Sequence, residues 1–112
     1  MGTEQAHLNF VEGASLHITG LRASAGPGIE FLEYLQPGVG RTYPKDSRAD
    51  DLWHWQTSLM VEDAEKLFDQ LKNLLVQFIS KELVTLSNGQ EQYKAFIVRD
   101  PDGHALQILQ KL

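Results

Sequence analysis

Hydrophobic and polar positions alternate with a period of two over most of this chain, which predicts strands. The alternation is loose over residues 5–12 (Gln-Ala-His-Leu-Asn-Phe-Val-Glu), read as a short first strand, and firmer over Ser15–Arg22. A Ser24–Gly28 turn separates that strand from Ile29–Gln36, which is rich in β-formers. There Glu30, Leu32 and Tyr34 share one face, and Ile29, Phe31, Glu33 and Leu35 the other. Trp53–Val61 reads as a fourth strand, with Trp55, Thr57, Leu59 and Val61 on one side and His54, Gln56, Ser58 and Met60 on the other. The parity of Trp55 with Leu59 and Val61 predicts a core position beneath a helix, while Trp53 stays open between core and ligand contact.

The period then changes. Ala64, Leu67, Phe68, Leu71, Leu74 and Leu75 fall on one helical stripe, opened by the acids Glu62 and Asp63 and ending near residues 73–75. Phe78–Leu86 is extended, Ser87–Gln90 is a turn, and Tyr93–Arg99 is a strand. Asp100-Pro101-Asp102-Gly103 turns it into a final alternating strand, Ala105–Gln110. Pro101 presets φ, Asp100 caps the turn through its side chain, and Gly103 accepts positive φ. In the last strand Ala105, Gln107 and Leu109 oppose Leu106, Ile108 and Gln110, leaving the polar Gln107 within an apolar setting. The second half thus reads β-α-β-β-β and the first half only β-β-β. The fifteen or so residues at 37–51, rich in Gly, Pro and charge, are a working loop or a linker between modules.

The two halves are related. Leu21-Arg22 aligns with Val98-Arg99, and Ile29–Leu32 with Leu106–Leu109, at one offset, 99 − 22 = 107 − 30 = 77. The counterparts of the 53–75 strand and helix would precede Met1, so the first module is expected to lack them. Such a module has an unpaired edge and an uncovered apolar face, which predicts a homodimer.

Composition narrows the function. The 112 residues suit one domain, and 42% hydrophobic with 22% charged residues is ordinary for a globular protein. A net charge of −5 argues against nucleic acid or an anionic membrane held by charge. No apolar run approaches the ~20 residues of a membrane span. The N-terminal residues lack the pattern of a signal peptide, so a cytoplasmic location is expected. Without cysteine there is no disulfide, thiolate nucleophile or Cys-ligated zinc.

Val61-Glu62-Asp63-Ala64 after a strand, an amphipathic helix, then Arg99-Asp100-Pro101-Asp102-Gly103-His104 and an alternating strand resemble the vicinal oxygen chelate superfamily, which comprises glyoxalase I, bleomycin-resistance proteins and extradiol dioxygenases. The resemblance implies an α+β fold of paired βαβββ modules, their curved mixed sheet enclosing a cavity. Residues 5–36 would be a partial first module, 37–51 the linker and 52–112 a complete second module. It also implies a divalent metal (Zn, Ni, Mn or Fe) held by residues of the first and last strand of each module. Carried over, those positions are Glu30, Gln56 and Gln107, with His54 as an alternative and the fourth position missing.

Of these only Glu30 supplies charge, and the two glutamines are weak neutral donors. Extradiol cleavage wants two histidines and a carboxylate, which the aligned positions do not contain. The expectation is therefore a small-molecule-binding protein whose metal site is degenerate or absent. Tyr34, Trp53, Ser58 and Met60 would line its cavity, and no catalytic residue is assigned. A metal-dependent lyase or isomerase of glyoxalase type and a non-catalytic partner-binding protein are the alternatives.

Overall fold

The computed structural model describes residues 3–38 and 40–112. The chain divides into two compact units, Met1–Arg41 and Thr42–Leu112, and each is described by itself.

The first unit contains helix α1 (Thr3–Asn9) and strands β1 (Ser15–Leu21) and β2 (Ile29–Gln36). The strand expected over residues 5–12 is thus corrected to a helix through Asn9 followed by a turn. Its alternation was loose, and Glu4 in the first turn suits the positive end of a helix. Strands β1 and β2 pair antiparallel, with Leu21 opposite Ile29, Gly20 opposite Glu30 and Thr19 opposite Phe31.

The second unit runs β3 (Gln56–Met60), α2 (Ala64–Lys72), β4 (Gln77–Phe78), β5 (Val84–Asn88), β6 (Glu91–Arg99) and β7 (Ala105–Lys111). Its sheet has the order β3-β7-β6-β4, and β5 pairs with the other end of β6. The β3–β7 pair is parallel and the remaining pairs are antiparallel. The β-α-β-β-β expectation holds in order, with two adjustments. Strand β3 begins at Gln56 because His54 N–H closes a turn on Asp51 O at 3.0 Å. The 78–86 stretch breaks after Phe78, where Ile79 and Ser80 N–H both reach Ile97 O, at 2.9 and 3.1 Å, and Ser80 Oγ accepts from Ile97 N at 2.7 Å.

Helix α2 starts where Asp63, in an extended conformation, accepts from Lys66 N at 2.9 Å. A second orphan donor, Ala64 N, is satisfied from outside by Gln110 Oε1 at 2.9 Å, which ties the helix start to β7. Asn73 ends the helix, so Leu74 and Leu75 leave the apolar stripe and face solvent. Ala64 and Phe68 pack on Phe96, Val98 and Ile108, with Leu67 and Leu71 beside them. Phe68 meets Phe78 and Phe96 edge-on, each at 5.2 Å between ring centres. Removing a ring from such a cluster costs about 3–5 kcal/mol.

The helix covers one face of this sheet only. Cross-strand rows Thr57–Leu106–Val98 and Leu59–Ile108–Phe96 lie on that face. The alternate rows, Gln56–Ala105–Arg99, Ser58–Gln107–Ile97 and Met60–Leu109–Ala95, present the opposite face.

Candidate functional site

The face opposite α2 carries the second unit's candidate residues. Ser58 and Gln107 sit directly opposite each other in the parallel pair, and Ser58 Oγ donates to Gln107 Oε1 at 2.8 Å. Met60 and Leu109 flank this polar pair in the next row, Met60 largely exposed. One row the other way, the Gln56 side chain meets His54 Nε2 at 3.1 Å. His54 Nδ1 is buried and has no hydrogen-bond partner. Gln56, Ser58 and Met60 therefore share one face, as their parity predicts, and the β3–β7 pairing adds Gln107 to it.

Trp55 does not pack beneath the helix. It is 64% exposed and meets the His104 ring edge-on at 6.1 Å. Parity failed there because residues 53–55 precede the strand, outside its pleat. Trp53 fastens the preceding loop through Nε1, which donates to Ser47 Oγ at 3.3 Å.

The residue that sequence reasoning passed over is Arg99. It closes the Gln56–Ala105–Arg99 row and is only 4% exposed. Nη1 donates to Gly103 O at 2.8 Å and reaches Tyr43 Oη at 3.4 Å, and Nη2 reaches Ser47 O at 3.4 Å. The Tyr43 ring lies 5.1 Å from the guanidinium carbon. Nε is buried with no partner. Arg99 thus binds the Tyr43–Ser47 segment to the turn after β6, and among the described residues no carboxylate pairs with it. The signal was available: an arginine ends an apolar strand on the face of Ile97 and Ala95.

The turn itself is built as its sequence predicts. Gly103 N donates to Asp100 O at 3.0 Å, and Gly103 takes a φ of 94°. A Cβ there would lie 2.5 Å from the Tyr43 ring, so the glycine serves both the turn and the packing of Tyr43. Asp100 Oδ1 accepts from Asp102 N at 3.0 Å and His104 N at 2.8 Å, and Oδ2 meets His104 Nδ1 at 2.9 Å. Asp100, Asp102 and His104 bring their ligand-type atoms within 4.8 Å of one another. With Asp100 engaged by three groups, this cluster does the work of holding the hairpin.

Glu30 belongs to the first unit. It is exposed and lines an open recess of about 630 Å³ with Gly20, Leu21, Arg22, Gly28 and Ile29. In the second unit Lys94 donates to Glu65 at 2.8 Å, and that hydrogen bond raises the lysine's pKa. Tyr34 is half-buried and its hydroxyl accepts from Asn9. His17, across from Glu33, meets that carboxylate at 3.3 Å.

The donor set fits a divalent metal poorly. In the second unit the two carried-over positions are amide oxygens, each already facing a hydrogen-bond partner at 2.8 or 3.1 Å. Neutral amides contribute little to a site that must hold and polarise through a cation.

No protein-family model and no curated protein matches the sequence. A crystal structure of a glyoxalase family protein from Bacillus cereus is similar in fold, with a TM-score of 0.80 and 17% sequence identity over 99% of this chain and 72% of that one. The chain thus has the α+β fold of the glyoxalase type, as its second-half motif implied. Among the described residues, no helix is long and apolar enough to cross a membrane.

Proposed function

We propose that this chain belongs to the vicinal oxygen chelate superfamily and binds a small molecule against the sheet face opposite α2, its metal site degenerate. The observation that carries the reading is the Ser58–Gln107 hydrogen bond at 2.8 Å, beside the Met60–Leu109 row. A polar pair in an apolar field orients a ligand without demanding a charge from it. Trp53 would add an aromatic contact. The glyoxalase-type fold supports the superfamily assignment.

Titration with an uncharged aromatic such as benzamide, followed by amide NMR, tests the reading. Saturable shifts at Ser58 and Gln107 that weaken in Gln107→Leu are expected. No perturbation of this face by benzamide or benzoate would defeat it. Metal analysis of the purified protein decides the rival lyase or isomerase. Stoichiometric Ni, Zn, Mn or Fe lost on Glu30→Ala would install Glu30, Gln56 and Gln107, or His54, as ligands.

We also read the protein as a cytoplasmic homodimer in which a second copy covers the first unit. The hairpin of that unit matches β6–β7 in register at an offset of 77, for example 98 − 21 and 106 − 29. Yet Leu21 and Phe31 are 55% and 41% exposed where their counterparts Val98 and Ile108 are each 4% exposed. Light scattering after size exclusion at micromolar concentration tests this, and a 12.6 kDa species would overturn it.

A further inference from the structure

A guanidinium cannot shed its charge by deprotonation, so burying one without a countercharge is costly. Arg99 is in that position at 4% exposure, held by two carbonyls, a hydroxyl and a ring. Its neighbour Asp100 is committed to His104 and the turn amides. The two edges of the guanidinium differ. Nη1 is anchored at 2.8 Å, whereas the Nε–Nη2 edge has only one contact, at 3.4 Å. That edge is the fork that receives a planar carboxylate through two parallel hydrogen bonds.

The surroundings agree with such a guest. Arg99 and Gln56 are the ends of one row whose middle residue is the small, buried Ala105. His54 is bonded to Gln56, and its Nδ1 is the other buried polar side-chain atom without a partner among the described residues. Which ring nitrogen carries the proton is set by the partner, and a rotated Gln56 amide leaves Nδ1–H free to donate. We propose that this end of the sheet is a carboxylate subsite, in which the Nε–Nη2 edge of Arg99 takes the carboxylate of a small organic acid and His54 forms the facing wall. The contacts of Tyr43 and Ser47 to the guanidinium, both 3.4 Å, are the weak ones that yield to the ligand. This deepens the small-molecule reading and rests on it.

Arginine Nε–H resonances of the full chain report directly on the fork. In titrations at constant ionic strength, sodium benzoate should shift the Arg99 Nε–H saturably and bind about tenfold or more tightly than benzamide, as a charge-assisted bidentate pair does. Arg99→Lys keeps the charge but loses the fork, so the preference for benzoate should collapse. Should that variant not fold, the wild-type resonance and His54→Ala, which should weaken benzoate more than benzamide, carry the test. Equal affinity for the two probes, an unmoved Nε–H, or an equal response to inorganic phosphate overturns the carboxylate subsite. If benzamide still shifts Ser58 and Gln107 in that case, the small-molecule reading survives alone.

Discussion

Two hairpins of this protein share one register and live in different surroundings. In β1–β2 and β6–β7 the same positions pair, the turn glycines correspond (103 − 26 = 77), and both take positive φ, 88° and 94°. An arginine stands at the same offset in each, just past β1 and exposed at Arg22, at the end of β6 and buried at Arg99. What separates them is company. The second hairpin has β3 along its edge, α2 over one face and Tyr43 against its turn. The backbone pattern is therefore a local property of turn and alternation, whereas burial is supplied by whatever else the chain brings.

Mutation of equivalent positions tests that contrast. Ile108→Ala should cost about 2–5 kcal/mol in urea unfolding, since it leaves a cavity beneath α2. Phe31→Ala, its counterpart, should cost under about 1 kcal/mol at low protein concentration. A cost for Phe31→Ala that grows with protein concentration would mean a second copy covers the first hairpin.

A smaller contrast lies at the turns. Gly26→Ala meets open space and should cost only the left-handed backbone term, about 1–2 kcal/mol. Gly103→Ala adds a methyl 2.5 Å from the Tyr43 ring and should cost at least about 1 kcal/mol more. Pairing it with Tyr43→Ala should erase the extra part, and additive costs would show that the two do not touch.

The smallest effect concerns the open end of the second hairpin. Hydrogen bonds from Lys111 and Tyr93 hold the Glu91 carboxyl below its ordinary pKa, and bonding to Glu91 raises that of Lys111. The acid's contribution is present above the ordinary carboxylate pKa and fades as pH falls through the lowered one. The lysine's is present below its ordinary pKa and fades as pH rises through the raised one. Both groups are exposed, so Glu91→Gln should only slightly flatten the melting temperature against pH at the two extremes, and added salt should mask the difference.

How much of this was legible follows from the range of the interactions. The Asp100–Gly103 corner, helix α2 and the paired register depend on neighbours in sequence, and the residues announced them. Helix α1 was missed because a weak period of two and helix-forming residues overlap in the same short stretch. Trp55 was misplaced by extending strand parity past the strand's start. Gln56 and Ser58 were read onto one face correctly, because parity is local, whereas their meeting with Gln107 rests on the parallel pairing of β3 with β7. Local parity shows only that Arg99 shares the face of Ile97 and Ala95, and its burial is completed by Tyr43 and Ser47, over fifty residues earlier by number.

The absent side chain of Gly103 has a consequence for motion. Because Tyr43 occupies the space a Cβ would fill, and Arg99 reaches both segments, the turn and the Tyr43–Ser47 loop should open as one cooperative unit. Hydrogen exchange at the Gly103 and His104 amides would then report on the loop as well, and Tyr43→Ala should speed exchange at both amides together.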